Sequence, residues 1–331
     1  MTRKERVVNL GLGTSILLLS IYLALSNGVF DINLSELFSF SNSGSLENRV
    51  FFNIRLPRVI FSFLVGMGLA SAGLTSQSLF KNDLADPNIL GISSGSILLV
   101  ACLILFFPEI VVQNFYALPI AAFIGALLVS LLIFSLFNKI KGNQVVFIVV
   151  LGIAINALAM SAVALLISLS NDTQMRNITF WTMGDLGGAN YYIIILLSII
   201  LIPALIILQR IHKKILMLSL GDHSVKSLGL NPKKIKLKAL LLISIITAVS
   251  VSFCGVIGFV GLAIPHIVKL IVGPTNKYIM VYSTFAGGVL LILADTLSRT
   301  VIAPEQIPVG VVTSIIGCPI FIYLILKKFF K

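Results

Sequence analysis

Long apolar runs separated by short polar breaks make up nearly the whole chain. Most are close to the roughly 20 residues an α-helix needs to cross a hydrocarbon layer of about 30 Å. Taken in order, they predict spans over Val7–Ser26, Arg55 to about Phe80, Ile89–Phe107, Ala117–Phe137 and Val145–Leu169. Further spans are predicted at Tyr191–Leu208, Leu237–Cys254, Gly258–Val272, Ile279–Leu297 and Pro308–Leu326. Pro265 is expected to break the short eighth span, and Gly273-Pro274 to close it. Arg3, Lys4 and Arg6 before the first run resemble the start of a signal peptide. That run exceeds the usual ~7–15-residue apolar core, so it reads as a retained helix. Backbone polar groups inside lipid must be satisfied within the chain. The fold class is therefore an all-α polytopic membrane protein of about ten transmembrane helices, a single transmembrane domain over residues 1–331.

The polar breaks differ in kind. Asn27–Asn53 reads as a loop and Lys81–Pro87 as a turn. Asn171–Asn190, which holds Trp181, reads as a connector with room for a short surface helix. Leu218–Pro232 is longer than a turn requires and is flanked by Arg210, Lys213, Lys214, Lys233, Lys234, Lys236 and Lys238. Gly221 and Gly229 punctuate it and Asn231-Pro232 stops it, which predicts one short helix. Asp222 near its start and Lys226 one turn on are placed for an i,i+4 pair. Leu220, Val225 and Leu228 are placed for a small apolar face. Such a segment suits either a headgroup-resting loop or a docking helix for a cytoplasmic partner.

Charge orients the spans. Hydrophobic residues are 58% of the 331 and charged residues only 11%, against about 25% charged in a soluble domain. No polar stretch is long enough for a separate soluble domain. With both termini cytoplasmic, 19 of the 24 cations, including all sixteen lysines, fall inside, as the positive-inside rule requires. Eight of the 12 acids fall outside. The net +12 is thus a product of topology and gives no reason to invoke nucleic acid.

The five outside cations are all arginines: Arg49, Arg55, Arg58, Arg176 and Arg299. A guanidinium grips a carboxylate with two parallel donors, which lysine cannot do. Arg55 and Arg58 are spaced to share a helical face at the mouth of the second span, and Arg299 follows Asp295 at i,i+4. From spacing alone, interfacial anchors or local salt bridges are the commoner reading, and exposed pairs are individually weak.

Within the spans, small residues recur: Gly66, Gly68 and Gly73; Gly91 and Gly95; Gly152; Gly287-Gly288; Gly310 and Gly317. They let helix backbones approach closely, the main packing device in lipid. Gln77, Ser93, Ser94, Asn156 and Thr313 are costly against hydrocarbon and are expected to face the bundle or a wet path. Cys102, Cys254 and Cys318 lie in apolar runs without metal-ligand spacing and read as packing residues. His212, His223 and His266 are scattered, the last in a turn-like setting after Pro265, and imply neither a metal site nor a catalytic group. A faint repeat relates Gly73-Leu74, Lys81 and Asp86-Pro87 to Gly261-Leu262, Lys269 and Gly273-Pro274, a duplication habitual in transporters.

Several segments together resemble the FecCD permease family, the membrane subunits of bacterial ABC importers for iron-siderophores, haem and cobalamin. They are Arg55-Leu-Pro-Arg58, Lys81-Asn-Asp-Leu-Ala-Asp-Pro87, Leu90-Gly-Ile-Ser-Ser-Gly95, Leu218-Ser-Leu-Gly221, Gly258-Phe-Val-Gly-Leu-Ala-Ile-Pro-His266, Ala294-Asp295 with Arg299, and Ile307-Pro-Val-Gly-Val-Val-Thr313. The resemblance implies a ten-helix subunit, with a pseudo-repeat of helices 2–5 and 7–10, in the bacterial cytoplasmic membrane. It implies a second permease subunit, a cytoplasmic ABC ATPase dimer and an extracellular or lipid-anchored binding protein. It makes Leu218–Asn231 the coupling helix, with Leu218, Ser219, Gly221, Asp222, Lys226, Leu228 and Gly229 meeting the ATPase. It assigns Arg55, Arg58 and Arg299 to docking of the binding protein. Asn82, Leu84, Asn143, Gln144 and Asn156 fall on the gate or pathway, with the fifth and tenth spans lining it. Asp83 departs from the proline of many relatives, which bears on the stiffness of the gate loop.

No Gly-x-x-x-x-Gly-Lys-Ser/Thr phosphate loop is present, so energy must arrive from a partner. The resemblance implies no cofactor, and an iron(III)-siderophore as the most frequent cargo. An ion-coupled secondary transporter is the alternative. It needs an ionisable group within a span, for which Asp295 is the one plausible acid. A membrane enzyme finds no catalytic constellation.

Overall fold

The computed structural model describes residues 3–28, 46–137, 139–140, 144–274 and 276–329. It is 83% helical and has no strands among the described residues. In chain order the helices are α1 (Arg3–Ser26), α2 (Leu46–Phe80), α3 (Ile92–Phe106), α4 (Pro108–Gln113), α5 (Ala117–Phe137), α6 (Gln144–Ser168) and α7 (Asp172–Thr182). They continue as α8 (Tyr191–Met217), α9 (Asp222–Ser227), α10 (Pro232–Cys254), α11 (Val260–Val272), α12 (Ile279–Thr300) and α13 (Val309–Phe329). Six are long and apolar enough to cross a membrane: α2, α5, α6, α8, α10 and α12, with α8's apolar stretch running on to Leu220. Shorter apolar stretches at Gly13–Ser26, Ile92–Phe106, Val260–Val272 and Val309–Tyr323 occupy the other predicted positions.

The protein is a multi-pass membrane bundle built around α2, whose apolar window is 78% buried. Helices α8, α10, α11 and α12 pack around α2. Glycine makes the closest crossings possible. A Cβ on Gly66 would sit 2.3 Å from the Gly287 carbonyl oxygen, and one on Gly95 would sit 2.7 Å from that of Gly125. These contacts join α2 to α12 and α3 to α5. At the other extreme, only 17% of α6's window is buried, so its long apolar face is left for lipid or another chain.

Two boundaries differ from expectation. The eighth span is not broken at Pro265: α11 runs through it. The position lies one turn into the helix, where the missing N–H removes a single early bond, that to the Gly261 carbonyl. His266 is consequently helical and buried, its ring edge-on to Phe321 at 5.8 Å. The sixth span runs on past Leu208 as α8, carrying Arg210, Lys213 and Lys214 out of the apolar layer on a continuous helix. The connector after α6 holds α7, started by Asn171 in a capping box with Gln174.

Candidate functional site

Two clusters of polar side chains lie at opposite ends of the bundle. The first is built where α2 begins and α12 ends. A π-helical turn, Phe51–Arg55, interrupts α2, and such turns re-aim the side chains that follow. Arg58 Nε donates to Asp295 Oδ1 at 2.8 Å, and its Nη1 donates to Gln306 Oε1 at 3.0 Å. Arg299 Nε lies 3.4 Å from Asp295 Oδ2, an ion pair without hydrogen-bond alignment. The expected i,i+4 pair is therefore present, but Asp295 is shared with a second arginine.

Donors of Arg55 and Arg299 turn toward α1. Arg299 donates to the carbonyl oxygens of Ala24 and Asn27, and Arg55 Nη1 to those of Leu25 at 2.6 Å and Ser26 at 2.9 Å. The last carbonyls of a helix have no partner within it and form the negative end of its dipole. Arg55 and Arg299 therefore cap α1. Gly28 makes room, since a Cβ there would lie 2.5 Å from Arg55 Nη2. All three guanidinium-bearing side chains are buried: Arg55 is 4%, Arg58 7% and Arg299 7% exposed. Beside them, a cavity of about 270 Å³ is lined by Asn114, Phe115, Trp181, Asp185 and Cys254, among others.

The second cluster lies at the lysine-rich end. Leu218–Leu220 form a single 3₁₀ turn and α9 follows, where one short helix was expected. Gly221, at φ +93°, supplies the break, a conformation that is costly for any residue with a Cβ. Of the expected apolar face only Val225 is buried, alongside Leu218. Leu220 and Leu228 are 62% and 59% exposed. The i,i+4 partner also differs. Asp222 Oδ2 accepts from Lys236 Nζ of α10 at 2.6 Å rather than pairing with Lys226. Lys236 is nearly buried and needs an anion more than solvated Lys226 does. Ser219 Oγ donates to the Leu216 carbonyl, and Gly229 closes the segment with φ +74°.

Facing this segment is the loop 81–86 between α2 and α3. Asn82 and Leu84 are exposed, and the Leu84 N–H donates to Asn82 Oδ1 at 2.9 Å. Asp86 accepts from the Asn88 N–H at 2.7 Å. Burial raises its carboxyl above the ordinary range, with the two hydrogen bonds to Asn88 opposing that shift. Gln144 opens α6. Asn156, three turns on, donates from Nδ2 to the Asn88 carbonyl at 3.1 Å and ties α6 to the turn before α3. Asn143 lies outside the described residues. The structure thus brings Asn82, Leu84 and Asn156 around one loop and its flanking turn.

Several partners carried no usable sequence signal. Gln306 meets Arg58, and the Ala24 and Asn27 carbonyls meet Arg299, across more than 200 residues. The Leu25 and Ser26 carbonyls are about 30 residues from Arg55, but a backbone acceptor has no side-chain signature. Lys269, spaced as the counterpart of Lys81, is bound to Asp83 at 2.8 Å and Gln77 at 2.7 Å. No group of three or more His, Cys, Asp and Glu side chains able to hold a metal occurs among the described residues.

The FecCD transport family matches residues 16–327. The hemin transport system permease protein of Yersinia pestis is 38% identical over 95% of this chain and 94% of its own length. The iron(3+)-hydroxamate import system permease protein of Bacillus subtilis is 36% identical over 92% of this chain and 93% of its own. Among solved structures, a metal-chelate type ABC transporter in an inward-facing conformation superposes with a TM-score of 0.85 at 26% identity, covering 95% of this chain and 97% of that one.

Proposed function

The chain belongs to the FecCD transport family, and from that premise we propose that it passes an iron(III)-siderophore across the bacterial cytoplasmic membrane. As a permease of an ABC importer for metal chelates it is a transport subunit, with ATP hydrolysis on a partner chain. The proposed assembly has a second permease subunit against the exposed faces of α6 and α13, two cytoplasmic ATPase subunits and an extracellular or lipid-anchored binding protein. Both termini face the cytoplasm, and lipid surrounds the rest.

The observation that carries this reading is the division of labour in 218–231. Val225 and Leu218 root the segment in the bundle, while Leu220 and Leu228 stand out of it. That is the arrangement of a coupling helix: one side moves with the spans and the other fills a groove on an ATPase. Ser219, Gly221, Asp222, Lys226, Leu228 and Gly229 make up the contact together with exposed Leu220, while Leu218, expected from the sequence to belong to it, is 1% exposed and supports it from within the bundle. Nucleotide can bias the inward–outward equilibrium only through contacts that differ between the two states, and a rooted lever supplies them. Asn82, Leu84, Asn143, Gln144 and Asn156 form the gate at the same end. Arg55, Arg58 and Arg299 dock carboxylates of the binding protein by exchanging some of their internal acceptors for the partner's.

The secondary-transporter reading loses support from Asp295, which is held between Arg58 and Arg299 and is poorly placed to carry a proton or ion. The test is reconstitution of the permease with its ATPase and binding protein in proteoliposomes, supplied with a panel of labelled chelates. ATP-dependent uptake of an iron-hydroxamate or iron-catecholate is expected. Uptake of haem or cobalamin alone would change the cargo, and uptake driven by an ion gradient without ATP would sink the reading.

A further inference from the structure

The loop 81–86, which holds the proposed gate residues Asn82 and Leu84, has few anchors. The Ala85 N–H donates to the Asn82 carbonyl at 3.1 Å, closing a turn over Asn82–Ala85, and the Asn82 N–H reaches the Gln77 carbonyl. All of these bonds are local. Among the described residues, two side-chain contacts that tie the loop to distant elements stand out. Lys81 Nζ makes a long 3.5 Å approach to the Ser219 carbonyl just before α9. Asp83 Oδ1 accepts from Lys269 Nζ of α11 at 2.8 Å.

The two partners of that ion pair are not alike. The Asp83 side chain is 43% exposed, whereas that of Lys269 is only 13% exposed. Lys269 also donates to Gln77 Oε1 at 2.7 Å, while Gln77 Nε2 donates to the Leu262 carbonyl of α11 at 3.1 Å. Gln77 and Lys269 thus form a fixed bracket between α2 and α11. A mostly buried ammonium needs an anion, and Asp83 is the carboxylate that supplies it.

We propose that the Asp83–Lys269 pair is an ionic clasp that sets the position of the gate loop against α11, and that Asp83 and Lys269 are positioning residues for Leu84. The inference rests on the transport reading only for the name gate; the clasp itself is a statement about the loop. Asp83 is the second residue of the Asn82–Ala85 turn, where proline is the residue best suited to hold a turn by itself. The clasp therefore does through charge what proline would do through covalent stiffness, with one difference. It reports the position of α11 to the loop and can open.

The experiment uses the assembled transporter in proteoliposomes, with Cys102, Cys254 and Cys318 replaced and Leu84→Cys as reporter, labelled by a membrane-impermeant maleimide. Asp83→Asn and Lys269→Met are each expected to speed labelling roughly five-fold. The exchange Asp83→Lys with Lys269→Asp should bring the rate back toward the parent. In an Asp83→Pro background labelling should stay slow, and adding Lys269→Met should change it little. Parent-like labelling in Asp83→Asn and Lys269→Met, or an exchange variant as fast as they are, overturns the clasp. Asp83→Asn is nearly isosteric, so a folding defect in Lys269→Met leaves the test intact. Chelate uptake in the same vesicles is a separate readout: failure in the parent speaks against the transport reading, while the labelling pattern still decides the clasp.

Discussion

Gly73 of α2 and Gly261 of α11 meet backbone to backbone, so that a Cβ on Gly73 would fall 1.9 Å from the Gly261 carbonyl oxygen. Pro265, four residues after Gly261, has no N–H to offer that carbonyl, which leaves the oxygen directed at the neighbouring helix. The contact joins the two segments whose sequences resemble each other, and it sets how closely the lysine-rich ends of α2 and α11 can approach.

Gly73→Ala should therefore be among the most damaging alanine substitutions in the chain. Neither backbone can yield locally, so the helices must separate, at a cost of at least ~1–3 kcal/mol. Gly13→Ala, where nothing lies within 4 Å, should be neutral or slightly stabilising, because alanine favours helix. Thermal unfolding of the purified protein in detergent separates the two. Equal midpoints would show that the α2–α11 crossing is not tight.

Asp295 balances Arg58 and Arg299 inside the bundle. Asp295→Asn keeps the shape and removes the charge, leaving two buried cations without their carboxylate. A loss of about 3–5 kcal/mol is expected, read as a large fall in melting temperature or as failure to accumulate. Replacing Arg58, Asp295 and Arg299 together by Met, Leu and Met should recover much of that stability while abolishing binding-protein capture. Recovery of capture along with stability would refute the docking role.

On the exposed side of segment 218–231, proposed to couple to the ATPase, Leu220→Ser with Leu228→Ser should leave the melting temperature of the isolated permease nearly unchanged. It should weaken co-purification of the ATPase subunits at least tenfold. Val225→Asp, by contrast, buries a carboxylate in the apolar core and should destabilise the permease itself. Loss of stability in the leucine variant would mean those side chains pack within this chain.

Asp86 offers a pH test. Burial raises its folded-state pKa, so the protonated form is the one the fold prefers. The associated stability is present below the ordinary carboxylate value of 3.8 and is lost as pH rises through the raised value. Asp86→Asn retains an acceptor for the Asn88 N–H without the charge. The variant should match the parent in acid and exceed it at neutral pH, by a margin that opens as pH rises above 3.8. A margin that closes toward neutrality would reverse the assignment.

Much of the candidate site was legible in the sequence because its signals are local. Segment 218–231 stands out as a charged island between apolar runs, and Arg55, Arg58 and Arg299 stand out by arginine usage at the end of the spans that lacks lysine. Their partners did not stand out. Arg55 and Arg299 meet backbone carbonyls of α1, and Asp222 passes over Lys226 for Lys236, since burial of the lysine outweighs sequence proximity.

Hydropathy alone determined that this is a helical membrane protein, roughly where each helix runs and which end carries the lysines. Those properties follow from transfer of side chains between water and lipid, which each run decides for itself. The tertiary structure decided what the ionisable groups do. Whether a guanidinium caps a helix, shares an aspartate or stands free depends on which helices bring their ends together. That is set by backbone contacts such as Gly73 on Gly261, between residues almost two hundred positions apart.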